Sequence, residues 1–197
     1  MPLKQAVLPL LSSSSELVRQ VAAANTVLLP SRRGENTDVL GIVAALAEAG
    51  VRRVSSAVVL GGGATARSAL AAVAALGCRT PTLVVRSPAD ETLAAAARLG
   101  VAASVRGWDP EVLTGSELVV STVPAGAADR FAPYVADVPV LLDVVYDPWP
   151  TALAGACRGI VVGGAAMLLH QAAAQVALMT GREVPIAPLR AALKQTG

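Results

Sequence analysis

A turn of six small residues is the segment of this sequence best suited to hold a charged ligand. It reads Gly61-Gly62-Gly63-Ala64-Thr65-Ala66 and directly follows the apolar run 57–60. Glycines permit a tight turn and let a pyrophosphate approach the backbone, and a small final residue lets the next helix pack close to the strand. Unpaired amides at that helix N-terminus attract phosphate. The turn predicts a dinucleotide site, and a glycine-rich turn without a ligand is the alternative.

The end of the next apolar run indicates which dinucleotide binds. It reads Val85-Arg86-Ser87, with no acidic residue to accept hydrogen bonds from the ribose 2′-hydroxyl of NAD. An arginine binds a 2′-phosphate through paired, charge-assisted hydrogen bonds. Arg86 and Ser87 therefore favour NADP as the cofactor. An ordinary exposed cation at a strand end is the alternative interpretation of Arg86.

The elements around these residues follow a βα pattern. Short β-branched runs alternate with longer Ala/Leu-rich stretches from about Ser56 onward, and they predict strands at 57–60, 82–85, 101–105, 118–121, 140–143 and 160–162. Several runs are apolar at every position, which is typical of a parallel sheet buried on both faces. The predicted fold class is α/β, with a doubly wound Rossmann-type sheet. Gly77 and Gly100 are placed to end helices 65–76 and 90–99 in the left-handed conformation.

The two ends of the chain are predicted to form a partial second lobe. The first fifty residues predict a helix at 16–23 capped within the serine run 12–15, a strand at 26–29, a turn at Arg33-Gly34 and a helix after Asp38. Helices at 165–180 and 185–193 are expected to pack back on this lobe. We therefore divide the chain into part of a substrate lobe (1–40), a dinucleotide domain (41–163) and C-terminal helices (164–197).

Composition excludes several classes of function. The chain has 197 residues, a formal charge of +2 and no Lys/Arg run, which argues against a nucleic-acid partner and for a small molecule. The nearly uncharged run 160–169 is far shorter than the roughly 20 residues of a membrane span. No secretory signal is recognisable, so a cytoplasmic location is expected. Cys78 and Cys157 lie far apart, and no metal site is predicted.

Five segments, in this order, resemble the shikimate dehydrogenase family across essentially the whole chain. They are Met1-Pro2-Leu3-Lys4, Ala24-Asn25-Thr26, Asn36-Thr37-Asp38, the glycine turn, and Asp143-Val144-Val145-Tyr146-Asp147-Pro148 together with Met167-Leu168-Leu169-His170-Gln171. The resemblance implies NADPH-dependent, reversible reduction of 3-dehydroshikimate to shikimate in aromatic amino-acid biosynthesis. It implies a monomer or homodimer.

By the same resemblance, Lys4 and Asp38 are the catalytic pair at the hydroxyl or carbonyl being interconverted. Reduction of a ketone builds negative charge on oxygen, which an ammonium stabilises and protonates. Without the resemblance, Lys4 is an ordinary terminal lysine and Asp38 a helix N-cap.

The resemblance also assigns binding roles. The residues implied to contact substrate are Asn25, Thr26, Asn36, Tyr146 and Gln171. The residues implied to line the nicotinamide pocket are Thr122, Val123, Gly164 and Met167. Turn positions for the two asparagines, and core positions for Tyr146 and Met167, are the alternatives.

The front of the sequence departs from the family pattern. In the family pattern, the lysine motif lies well inside the chain, after a segment whose Ser-x-Ser pair binds the substrate carboxylate. These 197 residues contain no such segment. A wrongly chosen start codon and a real truncation are both consistent with this. The competing hypotheses are a dinucleotide-binding fragment with little or no catalysis, and a related dehydrogenase of the quinate or methylene-tetrahydrofolate type.

Overall fold

The computed structural model describes residues 3–195, with side chains to residue 193, so Met1 and Pro2 of the first resembling segment lie outside the described residues. The N-terminal part contains α1 (Leu3–Ala6), β1 (Ser13–Ser14), α2 (Glu16–Val21), β2 (Thr26–Leu28) and β3 (Arg33–Glu35). These strands form a small sheet in the order β1-β3-β2, in which β3 is parallel to β1 and antiparallel to β2. Ser15 caps α2 by accepting a hydrogen bond from the Val18 amide, as the serine run predicts.

The predicted turn at Arg33-Gly34 is wrong. Both residues belong to β3, the central strand of the small sheet, and Gly34 pairs with Val27 on one side and Ser14 on the other. Gly34 packs closely under Leu11, whose side chain would have to move to admit a Cβ at this position. A glycine kept small for packing looks the same in sequence as a glycine kept for a turn.

The rest of the chain forms a six-stranded, all-parallel sheet with its helices. The elements are α3 (Asp38–Glu48), β4 (Ala57–Leu60), α4 (Ala64–Ala75), β5 (Thr82–Val84), α5 (Asp90–Arg98), β6 (Ser104–Arg106), β7 (Leu118–Ser121), β8 (Val140–Asp143), α6 (Ala152–Ala156), β9 (Ile160–Gly163), α7 (Gly164–Thr180) and α8 (Ile186–Gln195). The strand order is β6-β5-β4-β7-β8-β9, the order of a Rossmann sheet. The predicted fold class is confirmed, and β4, β7 and β8 are buried at every position.

The direction of winding reverses between β4 and β7, which is where open α/β sheets bind ligands. The two strands end side by side at this point. The Thr122 amide and hydroxyl both donate to the Leu60 carbonyl oxygen, at 2.9 and 2.7 Å. The glycine turn that follows Leu60 therefore opens onto the crevice at this reversal.

The two faces of the sheet are covered differently. Long helices α3 and α4 pack on one face with Ile42, Leu46 and Leu70 fully buried. The other face carries two short 3-10 segments, Pro110–Leu113 and Asp129–Tyr134, and the five-residue α6. Pro133 lies inside the second of these segments and lacks the amide hydrogen that a longer α-helix would need there.

Strand β6 is displaced from its predicted position at 101–105. Gly100 is left-handed, with φ +65°, and the Val101 amide still bonds to the Ala96 carbonyl as part of the end of α5. Pairing with β5 therefore starts only at Ser104. Gly77, with φ +106°, also adopts the predicted left-handed conformation after α4.

The C-terminal helices pack back on the N-terminal part, as predicted. Helix α7 lies along α3 and contacts β2, and α8 packs on α7. Gly41 allows this close approach, since a Cβ there would be 2.8 Å from the Met167 carbonyl oxygen. Glu48 on α3 joins both helices, with His170 Nε2 at 2.8 Å and Arg190 at 2.5 Å.

The predicted domain boundary at residue 40 falls inside α3, and the division of the chain stays a prediction. Within residues 3–195, no helix combines the length and the apolar character required to cross a membrane.

Candidate active site

Two adjoining cavities lie between the N-terminal segment and the carboxyl ends of the sheet. The larger, about 580 Å³, runs along the glycine turn. The smaller, about 320 Å³, lies between α7 and the start of α3. Lys4, Thr65, Val144 and Tyr146 line both cavities, so the two form one continuous cleft.

An ion pair stands where the cavities meet. Lys4 Nζ lies 2.5 Å from Asp38 Oδ2, and the side chains are only 14% and 5% exposed. The alternative interpretation of Asp38 as the capping side chain of α3 is wrong. Asn36 Oδ1 accepts from the amides of Asp38 and Val39, at 3.1 and 3.3 Å, which leaves the Asp38 carboxylate to face the lysine.

Side-chain amides surround this ion pair. Asn25 Nδ2 lies 2.9 Å from Asp38 Oδ1 and 3.3 Å from Gln171 Oε1, so it joins the carboxylate to helix α7. Gln175 also lines the smaller cavity, and its Nε2 lies 3.5 Å from the Asn25 carbonyl oxygen. Gln175 is not among the residues predicted from the sequence, although its spacing of four from Gln171 places both on one face of a helix.

Thr26 and Asn36 lie beside the cleft and line neither cavity. The Thr26 hydroxyl donates to Asn25 Oδ1 at 2.9 Å, and Asn36 Nδ2 donates to the Ala23 carbonyl at 3.0 Å. Both residues are buried, and these contacts hold Asn25 and the start of α3 in place. Their predicted contacts with substrate stay predictions.

The remaining residues predicted to bind substrate or nicotinamide lie along the cleft. Tyr146 lines both cavities and is 60% exposed, so it is not a core residue. Thr122 and Val123 line the larger cavity. Gly164 and Met167 line the smaller one, on the first turn of α7.

The glycine turn has the shape that a pyrophosphate requires. Gly61 has φ +113°, and a Cβ there would lie 2.5 Å from Thr122 Oγ1. At Gly63 nothing lies within 4 Å of the position of a Cβ, so the backbone is open to the cavity. Helix α4 then starts with no capping side chain and no acidic residue in its first turn, which leaves its amides available to an anion. Ala66 is buried against the core, and Thr92 Oγ1 steadies the turn by donating to the Gly62 carbonyl at 2.7 Å.

Several residues that line the larger cavity lack a local sequence signal. Trp108, Pro124, Ala125, Val145 and Asp147 line it and are not among the predicted site residues, whereas Arg86 and Ser87, predicted to bind the cofactor, also lie on its wall. Trp108 follows the edge strand β6, and only the strand order brings it next to Arg86.

Asp143 holds the segment that closes this side of the cleft. It is buried at the end of β8, where it accepts hydrogen bonds from the Val145 amide at 3.2 Å and the Thr151 hydroxyl at 2.7 Å. Burial raises the pKa of this carboxyl above its usual range, and the hydrogen bonds offset only part of that effect. The residues that follow it, Val144 to Asp147, line the larger cavity.

Comparison with known proteins agrees with this geometry. Residues 164–194 match the model of the shikimate 5′-dehydrogenase C-terminal domain. A shikimate dehydrogenase (NADP(+)) of Moorella thermoacetica is 34% identical over 220 residues, which cover 98% of this chain and 72% of that protein. The chain belongs to the shikimate dehydrogenase family. The resemblance predicted from the five segments is thereby confirmed.

Solved structures of similar proteins match this chain over nearly its whole length. The crystal structure of Mycobacterium tuberculosis shikimate dehydrogenase is similar with a TM-score of 0.89 and 37% identity, covering 98% of this chain and 76% of that one. A quinate dehydrogenase from Corynebacterium glutamicum in complex with NAD is similar with a TM-score of 0.88 and 25% identity, covering 98% and 75%. The protein is therefore a shikimate dehydrogenase-like oxidoreductase. Its relatives are not uniform in their dinucleotide, so this chain's own residues must indicate which one it uses.

Proposed function

We propose that this chain catalyses the reversible, NADPH-dependent reduction of 3-dehydroshikimate to shikimate. The observation that carries the proposal is the Lys4–Asp38 ion pair at the junction of the two cavities. The glycine side of the cleft suits a dinucleotide, and the amide side suits a ring with several hydroxyl groups. A substrate carbonyl at the junction would meet the cofactor and the proton donor together.

Lys4 is the proton donor in this proposal. A bound nicotinamide dinucleotide supplies the hydride. The Lys4 ammonium stabilises the negative charge that develops on the carbonyl oxygen and transfers a proton to it; in the reverse direction Lys4 accepts that proton. Asp38 Oδ2 holds the ammonium in place at 2.5 Å, and Asn25 Nδ2 donates to Asp38 Oδ1 at 2.9 Å.

The substrate side of the cleft supports a polyhydroxylated ring. Asn25, Gln171 and Gln175 present neutral donors and acceptors to the smaller cavity, the chemistry that hydroxyl groups need. Among the residues described, Lys4 is the one cation that lines this cavity. Recognition there therefore depends on hydrogen-bond geometry and on the position of one charge.

The cofactor side supports NADP. Arg86 and Ser87 follow β5 on the wall of the larger cavity, at the position where an acidic residue would bind the ribose of NAD. A guanidinium at this position attracts the 2′-phosphate.

The test is a panel of shikimate and quinate, each with NADP⁺ and with NAD⁺, followed by the change in nicotinamide absorbance. We expect the highest kcat/KM for shikimate with NADP⁺. Faster turnover of quinate with NAD⁺ would favour the quinate type, for which the similarity to the Corynebacterium enzyme is the supporting observation. Calorimetric binding of NADPH without turnover of either compound would contradict the enzymatic proposal and leave a dinucleotide-binding protein.

A further inference from the structure

Arg86 and Trp108 occupy equivalent positions on neighbouring strands. Val84 on β5 is in register with Arg106 on β6, and Arg86 and Trp108 each lie two residues beyond that pair. Because the strands are parallel, both side chains project from the carboxyl edge of the sheet into the larger cavity. The Arg86 Cζ atom lies over the Trp108 ring, 5.7 Å from its centroid. This is within the range of a cation–π interaction.

We propose that Trp108 is a specificity-determining residue of the dinucleotide site, acting by fixing the Arg86 guanidinium where the 2′-phosphate of NADP binds. The inference rests on the proposed use of NADP and adds to it a second residue on which that preference depends. Trp108 itself is not assigned a contact with the phosphate.

The Trp108 ring is a rigid support. It packs edge-on against Phe131, with ring centroids 4.7 Å apart and an interplanar angle of 76°. Phe131 is fully buried in the core on that face of the sheet, and Trp108 packs against the same core. The indole therefore has a fixed orientation before any ligand binds.

The Arg86 guanidinium has its hydrogen-bonding capacity available. Within the described part of the chain, Arg67, Arg158 and Arg190 each pair with a carboxylate, whereas Arg86 makes no hydrogen bond or ion pair. Its Cζ lies over the Trp108 ring, a contact that occupies none of the five N–H donors with a hydrogen bond to the protein. A cation held in this way keeps both its charge and its donors for a ligand.

Fixing the guanidinium matters because a free arginine side chain has many rotamers, whose restriction opposes binding. An arginine already held over a ring loses less freedom when it binds the phosphate. NADH lacks this phosphate, so it gains nothing from the arrangement. Trp108 should therefore affect NADPH affinity and leave NADH affinity unchanged.

The experiment is calorimetric measurement of the Kd of NADPH and of NADH, which does not depend on tryptophan fluorescence. For Trp108→Leu we expect an NADPH Kd about tenfold higher and an NADH Kd within about twofold of the parent. Trp108→Phe should lie between, because phenylalanine binds cations more weakly and still packs on Phe131. Arg106→Ala is the matched control: this exposed arginine lies two residues earlier and lines no part of the cavity. It should change neither Kd.

The double variant shows whether Trp108 acts through Arg86. If it does, adding Trp108→Leu to Arg86→Ala will weaken NADPH binding no further. Equal loss for NADPH and NADH, or an additive loss in the double variant, would overturn the inference. The inference would also be overturned if Trp108→Phe and Trp108→Leu both folded and bound NADPH as tightly as the parent protein. A parent protein without any preference for NADPH would show that the proposed cofactor is wrong, and this is visible before any variant is measured.

Discussion

Arg67 donates a hydrogen bond from Nε to the carbonyl oxygen of Val21, at 2.7 Å, and so joins helix α4 to the end of helix α2. Its side chain is 1% exposed, and it also donates to the Ala22 carbonyl at 3.1 Å. Arg98 on α5 donates to the Gln20 carbonyl at 2.9 Å. Three terminal carbonyls of α2 are thus bound by arginines from the Rossmann sheet's helices, which also oppose the negative end of the helix dipole.

This contact positions the Lys4–Asp38 side of the cleft relative to the glycine turn. Helix α2 leads directly to Ala24, whose amide donates to the Lys4 carbonyl at 2.9 Å, and to Asn25 beside Asp38. Arg67 lies in the first turns of α4, the helix that the glycine turn opens. A shift at Arg67 would therefore move Lys4 relative to a bound nicotinamide.

We expect Arg67→Met to lower the free energy of unfolding by about 2–4 kcal/mol, because two carbonyl oxygens lose their donor and Glu91 loses its cationic partner. In the protein that remains folded, kcat should fall more than NADPH affinity. Urea unfolding and steady-state kinetics measure the two effects. Arg98→Met is the control, since this exposed side chain makes one such bond and should cost under about 1 kcal/mol. Equal effects of the two substitutions would contradict a special role for Arg67.

Substitution of Lys4 should affect the chemical step and not cofactor binding. Lys4→Ala removes the proposed proton donor and should lower kcat by roughly two to four orders of magnitude, with the Kd of NADPH nearly unchanged. Calorimetry and single-turnover kinetics separate binding from chemistry. Leu3→Ala, at a neighbouring position that is 74% exposed, is the control and should leave both values unchanged. Loss of NADPH affinity equal to the loss of kcat would rule out the acid–base role.

The sequence predicts those parts of the site whose function depends on near neighbours in the chain. The glycine turn and Arg86 belong to this class, because a strand, a turn and a helix start lie within a few residues of each other. Trp108, Gln175 and Arg67 do not. Trp108 depends on the β5–β6 register, Gln175 on the packing of α7, and Arg67 on the closeness of α2 to α4.

The same distinction explains which parts of the fold were predicted wrongly from the sequence. The sheet was predictable because uniformly apolar runs require burial on both faces. The strand at Arg33–Glu35 was not, because its partners are β1 and β2 and no local pattern indicates them. Asp38 shows the limit of local rules most clearly, since Asn36 caps the helix and leaves the aspartate for Lys4.

Two glycines of the turn should respond differently to the same added methyl group. Gly61→Ala is strained, because φ is +113° and the new Cβ would lie 2.5 Å from Thr122 Oγ1; we expect a loss of about 2–4 kcal/mol of stability. Gly63→Ala has a compatible φ of −93° and open space around the Cβ, so stability should change by less than about 1 kcal/mol.

The open space at Gly63 is where a pyrophosphate would approach. We therefore expect Gly63→Ala to weaken NADPH binding roughly tenfold or more, although the protein stays folded. Thermal unfolding and calorimetry on the two variants check both expectations. Unchanged NADPH affinity in Gly63→Ala would show that the dinucleotide does not lie against this turn.

The buried carboxyl of Asp143 gives the protein a specific dependence on pH. Burial raises its native pKa above the ordinary aspartate value of 3.8, so between that value and the native pKa the folded protein holds a proton that the unfolded chain has released. Stability contributed by Asp143 is therefore complete below about pH 3.8 and declines as the pH rises through the native pKa. Each unit of difference between the two pKa values corresponds to about 1.4 kcal/mol.

Asp143→Asn removes this titration. In urea unfolding at a series of pH values, the stability of the variant minus that of the parent should increase from about pH 3.8 upward and become constant above the native pKa. The Thr151 hydroxyl donates to Asp143 Oδ2 and thereby lowers the Asp143 pKa. Thr151→Val removes this hydroxyl, so the Asp143 pKa should rise further and the decline in stability should extend to higher pH. That variant also loses the cap of α6, a cost of about 1 kcal/mol at every pH that leaves the pH profile interpretable. If the difference for Asp143→Asn instead decreased with rising pH, the Asp143 pKa would be lowered, and hydrogen bonding would outweigh burial at this position.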